Sequence, residues 1–142
     1  MKILVAVDGS KPAIRAVKHA AKLAELMRLR APALTLINVH DDVGLRLAKS
    51  FVGNQEVENY LLERSQVELK LARRWLDACG VKYKVAMCTG HVAQEIVRFA
   101  QKGKFDLVVL GSKGRGTLAD LLLGSVAQRV LASASQPVLL VK

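Results

Sequence analysis

Glycines and cations are concentrated between residues 111 and 125, directly after an apolar run. Glycines carry no Cβ, so their backbone N–H groups can approach a ligand closely and form a nest for an anion. A helix predicted to begin at Ser125 would add first-turn N–H groups that lack intrahelical partners and carry partial positive charge. Together with Lys113 and Arg115, these groups predict a phosphate-binding loop.

Three motif patterns can be tested against this loop. The P-loop pattern G-x-x-x-x-G-K-[ST] is absent. Residues 114–119 match the dinucleotide pattern G-x-G-x-x-A, but that fingerprint needs an acidic residue about 20 positions later. No Asp or Glu follows Asp120. The third pattern is Gly111-x2-Gly114-x9-Gly124-Ser125, and it is complete.

This third pattern resembles the ATP-binding loop of the universal stress protein family, and the resemblance covers essentially the whole chain. It includes Ile-Leu-Val-Ala-Val-Asp-Gly-Ser at residues 3–10 and Leu-Ile-Asn-Val-His at 36–40. It also includes Asp-Leu-Val-Val-Leu-Gly-Ser at 106–112 and Gln-Pro-Val-Leu-Leu-Val at 136–141. The sequence therefore resembles a single-domain member of this family over residues 1–142.

The resemblance implies a binding site for ATP, or for AMP or ADP, with or without bound Mg²⁺. Asp8 is expected beside the ribose, and the backbone of Val39 is expected to contact the adenine edge, with Ala6 lining the same pocket. The phosphate-contacting set comprises Gly111, Lys113, Gly114, Gly124, Ser125 and Val126. Two residues depart from the common family pattern, because Lys113 stands where many members have histidine and Gly116 where serine is frequent. Both departures keep the glycine spacing.

Each of these site residues also has a purely structural interpretation. Asp8 is compatible with an Asx-type turn through Gly9 and Ser10. Val39 is compatible with a core valine, and the loop could keep its shape without a nucleotide. A divalent ion held by Asp8, His40, Asp41 and Asp42 is a further hypothesis, and a polar strand exit is its alternative.

Five apolar runs alternate with helical patterns along the chain. Strands are predicted over 2–7, 34–39, 81–87, 106–110 and 137–141. Helices are predicted from Ser10 to about Arg28, over 56–78, after Gly90 and from Ser125, with the last start having the form of a capping box to Gln128. The segment 43–55 is predicted to be a loop or a short helix and is a candidate lid.

The alternation predicts an α/β fold with one parallel sheet and helices on both faces. The family resemblance implies a five-stranded, Rossmann-like sheet in the order 3-2-1-4-5, and a homodimer through strand 137–141. Inner-face residues of the 56–78 helix are predicted to be Leu62, Ser65, Leu69, Ala72 and Leu76, and those of the last helix Val126, Val130 and Leu131.

Composition narrows the class of protein. The apolar run at 3–7 is too short for a signal peptide or a membrane span, so we expect a cytoplasmic protein with no membrane contact. Cys79 and Cys88 are interpreted as buried small hydrophobic residues. The net charge of +10 makes a nucleic acid partner possible, although the cations are spread along the chain and no aromatic residues are interleaved with them.

Three functions follow from these features. The first is an adenine-nucleotide-binding protein that acts as a stress sensor or regulator, a role that the resemblance alone implies. The second is a weak Mg²⁺-dependent ATPase or phosphotransferase, for which no catalytic residues can be assigned and at most slow hydrolysis is expected. The third is a polyanion-binding protein that uses its basic surface and would show a steep salt dependence.

Overall fold

The fold is an open parallel sheet with helices on its two faces. The computed structural model describes residues 1–41, 51, 53–114 and 123–142. Its strands are β1 (Ile3–Ala6), β2 (Leu34–His40), β3 (Tyr83–Thr89), β4 (Leu107–Gly111) and β5 (Val138–Val141). The helices of the described ranges are α1 (Lys11–Leu26), α2 (Asn54–Ala78), α3 (Val92–Lys102) and α4 (Ser125–Ser133).

The strand order is β3-β2-β1-β4-β5, and every neighbouring pair is parallel. The predicted fold class and strand order are therefore confirmed. One apolar cluster joins the sheet to α1 and α2, and a second joins the opposite face to α3 and α4. The central strands are buried on both faces for this reason, which explains their unbroken runs of Ile, Leu and Val.

The start of β3 differs from its predicted position by two residues. The chain uses the intervening residues to end α2, because Gly80 adopts φ +67 and the Val81 N–H donates to the Leu76 carbonyl at 3.0 Å. This left-handed glycine ending is a common way to terminate a helix. The position of β3 at the sheet edge agrees with the exposure of Lys84 within it and of Lys82 just before it.

Helix α1 begins as predicted and packs closely on the sheet. The Ser10 side chain caps it by accepting from the Ala13 N–H at 3.3 Å. A Cβ placed on Gly111 would lie 2.7 Å from Cβ of Pro12, which is closer than packed atoms allow. Gly111 therefore permits the first turn of α1 to lie directly against the end of β4.

Two predicted core positions are wrong. Leu62 is 45% exposed, because the start of the inner face of α2 follows Val57 and Leu61, whereas its later positions are buried as predicted, namely Ser65, Leu69, Ala72 and Leu76. Leu131 is exposed in α4, where Ala127 and Val130 face the core.

The cysteine prediction is also wrong in part. Cys79 is exposed because it lies in the turn that ends α2, whereas Cys88 is half-buried. Both thiols are free.

The predicted lid at 43–55 lies outside the described residues except at Phe51 and 53–55, and Asn54 already belongs to α2.

Among the helices of the described ranges, none combines the length and apolar character needed to cross a bilayer.

Candidate functional site

The carboxyl ends of β1, β2 and β4 meet at one edge of the sheet. β1 lies between the other two, so the residues after it, Asp8 to Ser10, face the residues after β4, Ser112 to Gly114. The chain leaves β1 toward β2 on one side and enters β4 from β3 on the other, which makes this the topological switch point where such sheets bind ligands. The two predicted halves of the site are thus brought together.

Asp8 uses its two carboxylate oxygens differently. Oδ1 accepts a hydrogen bond from the Ser10 N–H at 2.9 Å, which is the Asx-type turn given above as the structural alternative for Asp8. Oδ2 lies 3.1 Å from the point that a Cβ on Gly114 would occupy. Asp8 therefore fixes its own turn with one oxygen and borders the glycine loop with the other.

The glycine loop is closed by backbone hydrogen bonds at both ends. The Ser112 N–H donates to the Val141 carbonyl at 2.8 Å, and the Gly124 N–H donates to the Ser112 carbonyl at 2.8 Å. Residues 115–122, including Arg115 and Gly116, lie outside the described residues. The N–H of Gly124 thus joins the end of the loop to its start.

Helix α4 begins at Ser125, as predicted, but the predicted capping box is wrong. Gly124 is the N-cap residue and has no side chain that could accept from the first turn. The Gln128 side chain donates to the Leu123 carbonyl at 3.2 Å and does not reach back to Ser125. The N–H groups of Ser125 and Val126 lie in the first turn, where no i−4 carbonyl of the helix can accept from them.

The backbone of Val39 faces the crevice beyond the end of β1. The Val7 N–H donates to the Ile37 carbonyl at 2.9 Å, and the Gly90 N–H donates to the His40 carbonyl at 2.9 Å. In a parallel sheet the N–H and C=O of one residue point to the same neighbour and those of the next residue point to the opposite one. Val39 therefore directs both groups to the side where Ile37 meets β1.

No backbone hydrogen bond within the described ranges joins Val39 to Val7, Asp8 or Gly9. The reason is Asn38, whose side-chain amide donates to the Val7 carbonyl at 2.8 Å and occupies the acceptor that would continue the ladder. Val39 thus presents one donor and one acceptor side by side at the sheet edge. Ala6, the last residue of β1, is half-buried beside them.

A buried polar network, which the sequence analysis missed, lies between β2 and α2. Its members Asn38, His40, Ser65 and Glu68 are each at most 7% exposed. The Asn38 amide also donates to Glu68 Oε2 at 2.7 Å, and Glu68 Oε1 accepts from Arg64 Nε at 3.1 Å. A signal was present in the sequence, because Asn38 interrupts an otherwise apolar strand and Ser65 and Glu68 are three residues apart in a helix.

The hydrogen-bond directions in this network can be assigned. Asn38 donates its two amide hydrogens to Val7 and Glu68. Its Oδ1 can only accept, and the Ser65 hydroxyl donates to it at 2.8 Å. Ser65 has no second hydrogen, so it accepts from His40 Nε2 at 2.7 Å. His40 therefore carries a hydrogen on Nε2, and its ring is turned toward α2.

The orientation of the His40 ring is relevant to the hypothesis that Asp8, His40, Asp41 and Asp42 hold a divalent ion. Within the described residues, no group of three or more His, Cys, Asp and Glu side chains is arranged to hold a metal. Asp42 lies outside them. His40 contacts Ser65 through Nε2, so that nitrogen is committed to the network.

The Cys88 thiol has a raised pKa. Cys88 lies on β3 and pairs in register with Val39 of β2. Burial raises the pKa of the thiol, and the nearby Glu95 carboxylate raises it further. The thiol of Cys88 is therefore protonated at pH 7.

The comparison with known proteins agrees with this arrangement. The sequence model of the universal stress protein family matches residues 1–142. The chain belongs to the universal stress protein family. Universal stress protein MJ0531 of Methanocaldococcus jannaschii is 38% identical over 141 residues, which cover 99% of this chain and 81% of MJ0531.

Solved structures of this family share the fold. Protein MJ0577 of Methanocaldococcus jannaschii superposes with a TM-score of 0.84 at 31% identity, over 99% of this universal stress protein and 94% of MJ0577. The universal stress protein of Archaeoglobus fulgidus in complex with dAMP superposes with a TM-score of 0.69. Its identity is 23%, over 100% of this chain and 98% of that one, and this likeness is one of fold.

Proposed function

We propose that this universal stress protein binds an adenine nucleotide, ATP or its products ADP and AMP, in the crevice at the ends of β1, β2 and β4. The bound nucleotide would regulate its association with partners in a stress response. The observation that carries the proposal is the backbone edge of Val39, whose N–H and C=O face the crevice and lack β1 as a partner.

The Val39 edge selects adenine by its hydrogen-bond pattern. Its carbonyl can accept from the N6 amino group, and its N–H can donate to the adjacent ring nitrogen. Guanine presents an acceptor in place of the N6 donor and a protonated ring nitrogen beside it, so both contacts would be repulsive. Unpaired polar groups of this kind discriminate strongly between analogues.

The sugar and phosphates would extend from this edge toward α4. Asp8 Oδ2 can accept from a ribose hydroxyl, since Oδ1 is already engaged by the Ser10 N–H. The first-turn N–H groups of Ser125 and Val126, with Lys113 and the exposed Gly114, can receive the phosphates. Gly111 supports this site by seating α1, and Gly124 by closing the loop.

A Mg²⁺ ion would be held mainly by the nucleotide itself. Within the described residues, Asp8 is the one carboxylate that borders both the turn after β1 and the glycine loop. Mg²⁺ is commonly bound through one carboxylate, phosphate oxygens and water. We therefore propose a binding role with at most slow hydrolysis.

We also propose a homodimer through the open edge of β5. The carbonyls of Pro137 and Val141 accept from β4, so by alternation the N–H and C=O of Val138 and Leu140 point outward. An exposed edge of four aliphatic residues is a pairing surface, and a two-fold axis would let two copies pair their outward groups.

Isothermal titration with ATP, ADP, AMP and GTP tests the nucleotide proposal. We expect ATP to bind at least tenfold more tightly than GTP. Gly114→Val should lower the ATP affinity by more than tenfold, because its side chain would fill the space beside Asp8 Oδ2. Asp8→Asn should also weaken binding by about tenfold or more while keeping the Oδ1 acceptor of the turn.

The control is Ala78→Val, which introduces the same valine side chain at an exposed position of α2. Its affinity for ATP should equal that of the wild type. Absence of ATP binding at ~1 mM, which corresponds to only about −4 kcal/mol, would refute the proposal. Equal affinity for ATP and GTP would refute the role given to Val39.

A further inference from the structure

Helix α1 carries a line of four exposed cations on its solvent side. Lys11, Arg15, Lys18 and Lys22 are spaced by four, three and four residues. At 100° and 1.5 Å per residue, they fall within an arc of about 60° and extend over about 16 Å. We refer to these four residues as the α1 basic stripe.

The stripe is unfavourable for the helix that bears it. Lys11 and Arg15 lie at the N-terminal end, where the helix dipole repels cations, and no acidic residue lies in the first turn. Lys11 with Arg15, and Lys18 with Lys22, are like-charged pairs at i and i+4, which destabilise helices. Glu25, the acidic residue of α1, lies at the opposite end.

Helix α2 shows the usual arrangement in the same molecule. Its first turn contains Glu56, and Lys70, Arg73 and Arg74 lie in its second half. The acidic first turn of α2 agrees with the dipole, whereas its last turn contains Asp77 and no basic residue. Helix α2 thus begins with a carboxylate despite the overall excess of cations, while α1 begins with Lys11, and this difference calls for a separate explanation.

The described part of the protein gives the stripe no acidic side-chain partner. No Asp or Glu side chain there forms an ion pair with any of its four members. Arg15 Nε donates to the Lys142 carbonyl at 2.7 Å, and Lys18 Nζ lies 5.7 Å from the ring centroid of Trp75. These contacts orient two of the cations and leave all four positive charges in place.

We propose that the α1 basic stripe docks the phosphate backbone of double-stranded nucleic acid, independently of the nucleotide crevice. A row of cations without acidic neighbours complements a row of phosphates, and 16 Å corresponds to about five base steps at 3.4 Å. Contacts of this kind carry no base information, so binding is independent of sequence.

Two observations favour duplex nucleic acid over other polyanions. A protein interface has an apolar centre, whereas the nearest large exposed apolar residue on α1 is Leu26, beyond the stripe. Single-stranded nucleic acid is held by stacking on aromatic side chains, and the half-buried Trp75 is covered by Lys18.

The test measures the affinity of labelled 20-base-pair DNA and RNA duplexes by fluorescence anisotropy over a range of KCl concentrations. The test variant is Lys11→Gln/Lys18→Gln/Lys22→Gln, which keeps Arg15 and its bond to Lys142. The matched control is Lys82→Gln/Lys84→Gln/Lys102→Gln, which removes three exposed lysines elsewhere and lowers the net charge equally.

For the wild type we expect binding at low salt, with a slope of log K against log salt of about −3.6 for four phosphate contacts. The stripe variant should lose at least tenfold in affinity and about 2.7 units of slope, and the control should stay within threefold of the wild type. Removing the like charges should also leave the unfolding temperature of the stripe variant unchanged or raised, so its loss of affinity cannot come from unfolding.

Three results would overturn the proposal. The first is a wild type that does not bind either duplex at low salt. The second is an equal loss in both triple variants, which would mean that the total charge and not α1 is responsible. The third is a polyglutamate or single-stranded competitor that displaces the duplex at equal concentration of charge, which would assign the stripe to another class of partner.

Discussion

The side-chain amide of Asn38 donates to the backbone carbonyl of Val7 at 2.8 Å, and this contact ends the β1–β2 ladder immediately before Asp8. The ladder could otherwise continue, since the Val39 N–H points toward the same carbonyl. One buried side chain thus leaves the Val39 backbone available at the crevice. The same amide joins Val7 to Glu68 of α2, so the helix and the turn after β1 are held together.

The variant Asn38→Asp should be strongly destabilised. It replaces the amide donor with an oxygen, which leaves the Val7 carbonyl without its partner and puts a second carboxylate beside Glu68 at 0% exposure. We expect a loss of at least about 2 kcal/mol in the free energy of unfolding. Urea denaturation followed by the fluorescence of the one tryptophan, Trp75, measures it.

The control for this variant is Asn59→Asp on the exposed face of α2. The same chemical change should alter the free energy of unfolding there by less than about 0.5 kcal/mol. If Asn38→Asp were no more damaging than Asn59→Asp, the assignment of the amide hydrogens in the network would be wrong.

Gly111 and Gly114 should respond differently to the same substitution. Gly111→Ala places a methyl group 2.7 Å from Cβ of Pro12 and should cost about 1–3 kcal/mol of stability by pushing α1 from β4. Among the described residues, the nearest atom to the new methyl group of Gly114→Ala is Asp8 Oδ2 at 3.1 Å, the end of a side chain that can turn, so stability should change little while nucleotide affinity falls. Thermal unfolding and ATP titration of both variants separate the two roles, and interchanged effects would contradict them.

The Cys88 thiol should react slowly and at unusually high pH. Because burial and Glu95 raise its pKa, less thiolate is present at pH 8 than for an unperturbed cysteine. The alkylation rate of Cys79→Ser, in which Cys88 remains, should keep increasing at pH values where a solvated thiol has levelled off. Iodoacetamide labelling followed by mass spectrometry measures the profile, and Cys88→Ser gives the exposed Cys79 for comparison. If the alkylation rate reached half its maximum at a lower pH than for a simple thiol, the direction given for the pKa shift would be wrong.

Leu140→Pro should abolish the proposed dimer without breaking the sheet. The N–H of Leu140 points away from β4, so its removal costs no hydrogen bond within the protomer but interrupts pairing with a second β5. Sedimentation velocity at about 50 μM should give a dimer for the wild type and a monomer for the variant. Leu131→Ala, a change at an exposed position of α4, serves as the control and should leave the mass unchanged. A wild type that sediments as a monomer would refute the proposed dimer.

Much of the fold followed from the sequence because its signals are local. The apolar runs and the helix starts at Ser10 and Ser125 each depend on neighbouring residues, and each is present. The predictions that failed needed information from elsewhere in the chain. Leu62 fits the spacing of a buried helical face. Only the packing of α2 on β2 decides that Leu62 stays exposed and that Glu68 is buried against Asn38.

The sequence by itself determined the glycine spacing, the carboxylate at the end of β1 and the row of cations on α1, since these are properties of residue type and interval. The tertiary structure decided which of them meet. Strand order placed Asp8 beside Gly114, which follows it by more than one hundred residues in the chain. The buried amide of Asn38 determined that Val39 presents its backbone to the crevice. Such contacts depend on hydrogen-bond partners and distances between remote segments, which the types and intervals of residues do not specify.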